Sequence, residues 1–193
     1  MKFALCIAII LVTVSRSQAQ HAQSTSHSGD SQMPVPAHVT NTFHFQVNAP
    51  LSQAAPLFGP EGERSWAGEH WNPEFLYPHP SSNAASSAED VQGAVFTIRH
   101  GALASVWVNT IFDLSAGRMQ YVAVIPDRMV SVVDVRLRSA TAATTAVEVT
   151  YTRTALDPSL NEEVIAHGNQ DRESGAEWEK AIEAGLKQAK KTP

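Results

Sequence analysis

From Gly93 to Thr154 the chain is a succession of segments rich in Val, Ile, Thr, Tyr, Phe and Trp: Gly93 to Arg99, Ser105 to Asp113, Arg118 to Ile125, Met129 to Arg138 and Thr144 to Thr154. Such residues suit the half-buried surface of a sheet. Connections as brief as Ser115-Ala116-Gly117 and Pro126-Asp127-Arg128 separate them. A parallel neighbour needs a crossover of a dozen or more residues, so links this short allow only antiparallel pairing. Glu74-Phe75-Leu76-Tyr77 adds a strand before a Ser/Ala/Asn-rich loop from His79 to Asp90, and Thr42 to Asn48 alternates apolar with polar residues as a first strand. In the last segment Val147, Val149 and Tyr151 share one face while Glu148, Thr150 and Thr152 share the other. One face of the sheet is therefore wet, and the other must be covered.

Between the first two strands, Leu51, Ala54, Ala55, Leu57 and Phe58 recur at helical spacing, but Pro56 and Gly59-Pro60 interrupt them. Two short helical pieces are expected. The cover for the sheet comes last. Asp157 before Pro158, or a capping box from Ser159 to Glu162, starts a helix that can run to about Ala189. Val164, Gly168, Asp171, Gly175, Trp178, Ile182, Gly185 and Ala189 fall on one face of it. Glycine inside a helix costs about 1 kcal/mol relative to alanine, so this stripe requires a reason. Either Gly168-Asn169 ends a first helix and Asp171 caps a second, or the small face leaves volume beside the sheet that a ligand fills.

Residues 1–19 have the pattern of a secretory signal: Lys2, an apolar core from Phe3 to Val14 and a small-x-small site at Ser17-Gln18-Ala19. That core is shorter than the roughly 20 residues of a membrane span, so the expected mature chain carries no transmembrane anchor and acts in the periplasm or outside the cell. Residues 20–37 are polar, with too little apolar surface to order a linker, and the folded domain is expected over 38–190. The spacing of His21, His27 and His38 in and beside that linker fits no set of metal ligands. The whole chain has 14 basic against 19 acidic side chains, and loss of Lys2 and Arg16 leaves 12 against 19. An acidic chain with no basic cluster is a poor partner for nucleic acid. Cys6, the one cysteine, lies in the signal. The mature chain would thus lack disulfides, thiolate metal sites and a cysteine nucleophile.

The order of one strand, two short helices, six strands and a long last helix resembles the START-like superfamily, also called SRPBCC or Bet v 1-like. The likeness runs from about His38 to Ala189. Locally it is carried by Gly59-Pro60-Glu61-Gly62-Glu63-Arg64-Ser65-Trp66, Trp71-Asn72-Pro73-Glu74-Phe75-Leu76-Tyr77-Pro78, Gly93-Ala94-Val95-Phe96-Thr97 and Thr150-Tyr151-Thr152-Arg153-Thr154-Ala155-Leu156. The resemblance implies an α+β helix-grip fold, in which a curved seven-stranded antiparallel sheet wraps the last helix around a cavity. Members of this superfamily bind lipids, sterols and hormones, cyclise polyketides or assist chaperones, so the fold does not fix the activity.

No G-x-S-x-G elbow, H-E-x-x-H, P-loop or G-x-G-x-x-G occurs, and no cofactor or metal is expected. Glu69-His70 with His79 and His100 is the nearest approach to an acid-base or metal group, and loop histidines beside a turn explain it as well. Asp134, Arg136 and Arg153 belong either to the polar lining of a cyclase-like pocket or to the wet face of the sheet. An indole can line an apolar pocket and still offer a donor. The expected cavity lining is therefore Trp66, Trp71, Phe96, Trp107, Tyr121, Tyr151, Gly175, Trp178 and Ile182. The resulting expectation is an exported protein that binds a small hydrophobic or amphipathic molecule between sheet and last helix. A cyclase- or dehydratase-like enzyme and a chaperone-like interaction module are the alternatives.

Overall fold

The structure, a computed structural model, describes residues 34–79 and 91–189, the side chains of His100 and Ala189 excepted. Seven strands, β1 (His38–Val47), β2 (Glu74–Tyr77), β3 (Val95–His100), β4 (Leu103–Asp113), β5 (Arg118–Ile125), β6 (Met129–Ser139) and β7 (Thr145–Ala155), form one antiparallel sheet. Its order is β1-β7-β6-β5-β4-β3-β2. From β2 onward successive strands pair antiparallel, those from β3 to β7 through short links, and the first strand joins the last with Phe43 opposite Val149. The link from β4 to β5 ends at Gly117, whose φ of 62° places it in the left-handed region. There a Cβ would lie 2.5 Å from the Leu137 carbonyl oxygen, so no larger residue fits.

Alternation sorts the two faces. Phe43, Phe45, Val47, Val133, Val135, Leu137, Val147, Val149 and Tyr151 are buried in one core. On the opposite face of β1 and β7, Thr40 pairs with Thr152 and Thr42 with Thr150 through their hydroxyls, at 3.1 and 2.8 Å. A 3-10 turn at Ala55–Phe58 separates α1 (Leu51–Ala54) from α2 (Pro60–Glu63), as Pro56 and Pro60 dictate. Phe58, Trp66 and Trp71 carry this segment into the core and close one end of the sheet.

Asp157 accepts a hydrogen bond from the Ser159 amide at 2.8 Å and opens a 3-10 turn at Pro158–Leu160. Helices α3 (Asn161–Glu173) and α4 (Gly175–Ala189) follow. The break lies at Ser174, whose amide reaches back only three residues to the Asp171 carbonyl; α3 passes through Gly168-Asn169 intact. Gly168 serves close packing instead: a Cβ there would lie 2.9 Å from Val39 Cγ2 and 3.0 Å from Asn41 Nδ2.

The same reason holds for the rest of the stripe. A Cβ on Gly175 would lie 3.2 Å from the His44 carbonyl oxygen, and one on Gly185 3.2 Å from that of Ser65. The expectation that small residues leave open volume here is thus corrected, because neighbouring backbone already occupies it. The described chain is also fastened ahead of β1. Asn161 accepts from the Ala37 amide at 2.6 Å and donates to the Val35 carbonyl at 2.9 Å, so ordered contacts begin three residues before the expected domain start. The signal-like segment and most of the polar linker lie outside the described residues.

Candidate functional site

The inner faces of β4 to β7 and the facing sides of α3 and α4 enclose a cavity of about 100 Å³. Its apolar wall is aromatic. Trp71 stands edge-on to Trp107 with ring centres 5.4 Å apart, and Tyr151 stands edge-on to Trp178 at 6.4 Å. Leu103, Ala123, Ile125 and Met129 fill in between. Edge-to-face stacking fixes such rings in place and leaves flat apolar surface toward the void.

The rest of the lining is polar and internally hydrogen-bonded. Arg153, on the inner face of β7, donates from Nε and Nη2 to the two Asp171 oxygens of α3, both at 2.6 Å, and from Nη1 to Ser131 Oγ at 3.0 Å. Its guanidinium also lies over the Tyr151 ring, 4.6 Å from the centre. Burial opposes the Arg153 charge, but the hydrogen bonds and charge of Asp171 outweigh it and raise the pKa. Burial pushes the Tyr151 phenol far above its usual range. His167 also lines the cavity. Burial first, and then the Arg153 charge, lower its pKa against the pull of Glu163 and Asp171, so the ring is neutral at pH 7. Arg128, also in the lining, is bound through Nε and Nη2 to the Glu163 carboxylate, with Nε to Oε1 at 3.1 Å.

Among the expected lining residues, Trp71, Trp107, Tyr151 and Trp178 border the cavity. Phe96, Tyr121 and Ile182 are packed into the core, where the Tyr121 hydroxyl donates to the Phe58 carbonyl. Trp66 packs at 5.1 Å against Trp178 and borders a separate crevice beside Arg64 and Glu69. Gly175 faces β1 and not the void. The indole donors of Trp66, Trp71 and Trp107 are spent on Leu57, Pro60 and Ser105, each at 2.7 Å.

Asp134 and Arg136 belong to the wet face, where Arg136 Nε donates to Asp134 at 2.7 Å, while Arg153 enters the cavity. Glu69, His70 and His79 are exposed. Among the described residues no three His, Cys, Asp or Glu side chains gather where a metal could bind, and no helix is long and apolar enough to cross a membrane.

Ser105, Ser131 and His167 line the cavity as well, and no sequence motif marks them. Strand parity was the available signal for the serines, since Ser131 lies two residues from inward Val133 and opposite Arg153.

A sheet wrapped around a terminal helix with a cavity between them is a known architecture, and solved structures share it. The chain is similar to norcoclaurine synthase from Thalictrum flavum, at 9% identity and a TM-score of 0.53 over 86% of this chain and 96% of that one. It is similar to Ara h 8.0201 at 13% identity and a TM-score of 0.54, over 78% of this chain and 99% of that one. A protein from Rhizobium leguminosarum gives 13% identity and a TM-score of 0.54, over 77% of this chain and 97% of that one. The chain has the Bet v 1-like helix-grip fold. In this helix-grip protein the gripped helix is two pieces joined at Ser174, and the Arg153–Asp171 pair ties the first piece to the sheet. No family model matches the sequence, and no curated protein matches it.

Proposed function

We propose that this helix-grip protein binds a small amphipathic molecule in the cavity between the sheet and helices α3 and α4. One observation carries the reading: a void lined by Trp71, Trp107, Tyr151 and Trp178 and, against Tyr151, by an internally paired Arg153–Asp171. Apolar surface with a few fixed polar groups is what a small-molecule site requires. The signal-like segment at residues 1–19 supports action outside the cytoplasm, in carriage, sequestration or sensing.

Toluene titration followed on the indole N–H resonances tests the site. Trp71, Trp107 and Trp178 are expected to shift together, and Trp178→Ala to change the affinity at least about threefold by removing one wall. Unmoved indoles at saturating toluene would overturn the reading.

A second reading, an enzyme of the cyclase or dehydratase type, is favoured by His167. Its neutral ring has no hydrogen-bond partner among the described residues and lies beside Arg153 and Asp171, where it can accept a proton from a bound molecule.

A further inference from the structure

We infer that the cavity selects an uncharged molecule of about one ring, bearing a hydroxyl or carbonyl group, and rejects carboxylates of the same shape. The inference rests on the cavity reading above and adds size and charge to it.

The size follows from the void. At about 100 Å³ it is smaller than the roughly 150 Å³ apolar cavity known to admit benzene. It encloses at most a single ring. A sterol or long acyl chain would have to project through the opening.

The charge preference follows from what the cations already hold. Arg153 spends three N–H groups on Asp171 and Ser131, and Arg128 is bound to Glu163. Glu177 adds a further carboxylate at the exposed rim, and His167 is uncharged at pH 7. Among the described residues each guanidinium facing the void thus has its carboxylate, and no cation is left over. A carboxylate entering here would give up its hydration without gaining an ionic partner, which is costly in a dry site. The open groups are neutral ones: the Tyr151 hydroxyl and the Trp178 indole N–H have no hydrogen-bond partner among the described residues. A phenol that donates and accepts, together with an N–H that donates, matches a hydroxyl or carbonyl group. Glu177 is exposed, so water screens the one surplus negative charge and it does not recruit a cation.

Acetophenone and benzoate make the test, because they share a shape and differ in charge at pH 7. Titrations of the intact mature protein on the indole resonances are expected to give at least about tenfold tighter binding of acetophenone, a modest share of the cost of stripping water from an unpaired anion. Equal or tighter binding of benzoate would overturn the inference, as would benzylammonium binding more tightly than acetophenone. If toluene, acetophenone and benzoate all leave the indoles unmoved, the cavity reading falls with it; if toluene binds and benzoate matches acetophenone, only the charge selection falls. Asp171→Asn frees the Arg153 charge and is expected to shift the preference toward benzoate by about tenfold or more. An unchanged ratio in a folded D171N protein would also overturn the inference. Should that variant not fold, the wild-type ratio decides.

Discussion

The guanidinium of Arg153 and the carboxylate of Asp171 meet edge to edge through two 2.6 Å hydrogen bonds, inside the grip and with both side chains nearly excluded from solvent. This pair joins the last strand to the helix that follows it. It also spends the charge that would otherwise dominate the cavity.

Breaking the pair from one side leaves the other charge buried without a partner. Asp171→Ala is expected to lower unfolding free energy by about 3 to 5 kcal/mol, whereas an Arg153→Met, Asp171→Leu double replacement costs far less. Urea denaturation of the single and double variants measures the difference. Equal losses in both would show that the pair contributes only its packing volume.

A side chain at Gly175 would be tight, because the His44 carbonyl and the Phe43 ring lie at 3.2 and 3.4 Å from where a Cβ would be. Gly175→Leu is expected to destabilise by about 1 to 3 kcal/mol through overpacking. An open volume at this position would instead give an unchanged or higher melting temperature. A thermal melt therefore separates the filled stripe from the hollow one.

Asn161 holds Val35 and Ala37 with two hydrogen bonds. Asn161→Ala is expected to cost about 1 to 2 kcal/mol, the net worth of two such bonds. A chain beginning at His38 should lose a similar amount, and in that shortened chain Asn161→Ala should add little. Additive losses in the combination would mean that Asn161 acts elsewhere.

His167 makes stability depend on pH in one direction. Its folded pKa is below the ordinary value of 6.5, so the unfolded chain binds the proton more readily. The contribution is full above about pH 6.5 and is lost as pH falls through the folded value. His167→Gln is expected to flatten that part of the stability profile between about pH 6.5 and 5. Denaturation midpoints of both proteins across this range make the comparison, and parallel profiles would assign the slope to other groups.

Much of this molecule is determined by the sequence alone, because periodicity and link length act locally. Three-residue links force hairpins, and the alternation of Val147, Val149 and Tyr151 against Glu148, Thr150 and Thr152 already puts Arg153 on the inner face. The same parity puts Asp134 and Arg136 outside, beside inward Val133 and Val135. Helical spacing puts Asp171 on the face turned to the sheet, so both halves of the buried pair were legible separately. Their meeting was not, since it depends on where α3 crosses β7. The tertiary structure alone decided that crossing, the break at Ser174 and the fate of the glycine stripe. Gly168, Gly175 and Gly185 read equally well as terminators, as packing contacts or as the wall of a void. The choice turns on about an ångström of distance to Val39, His44 and Ser65. Those residues are remote in sequence, and only packing brings their atoms near enough to leave little room.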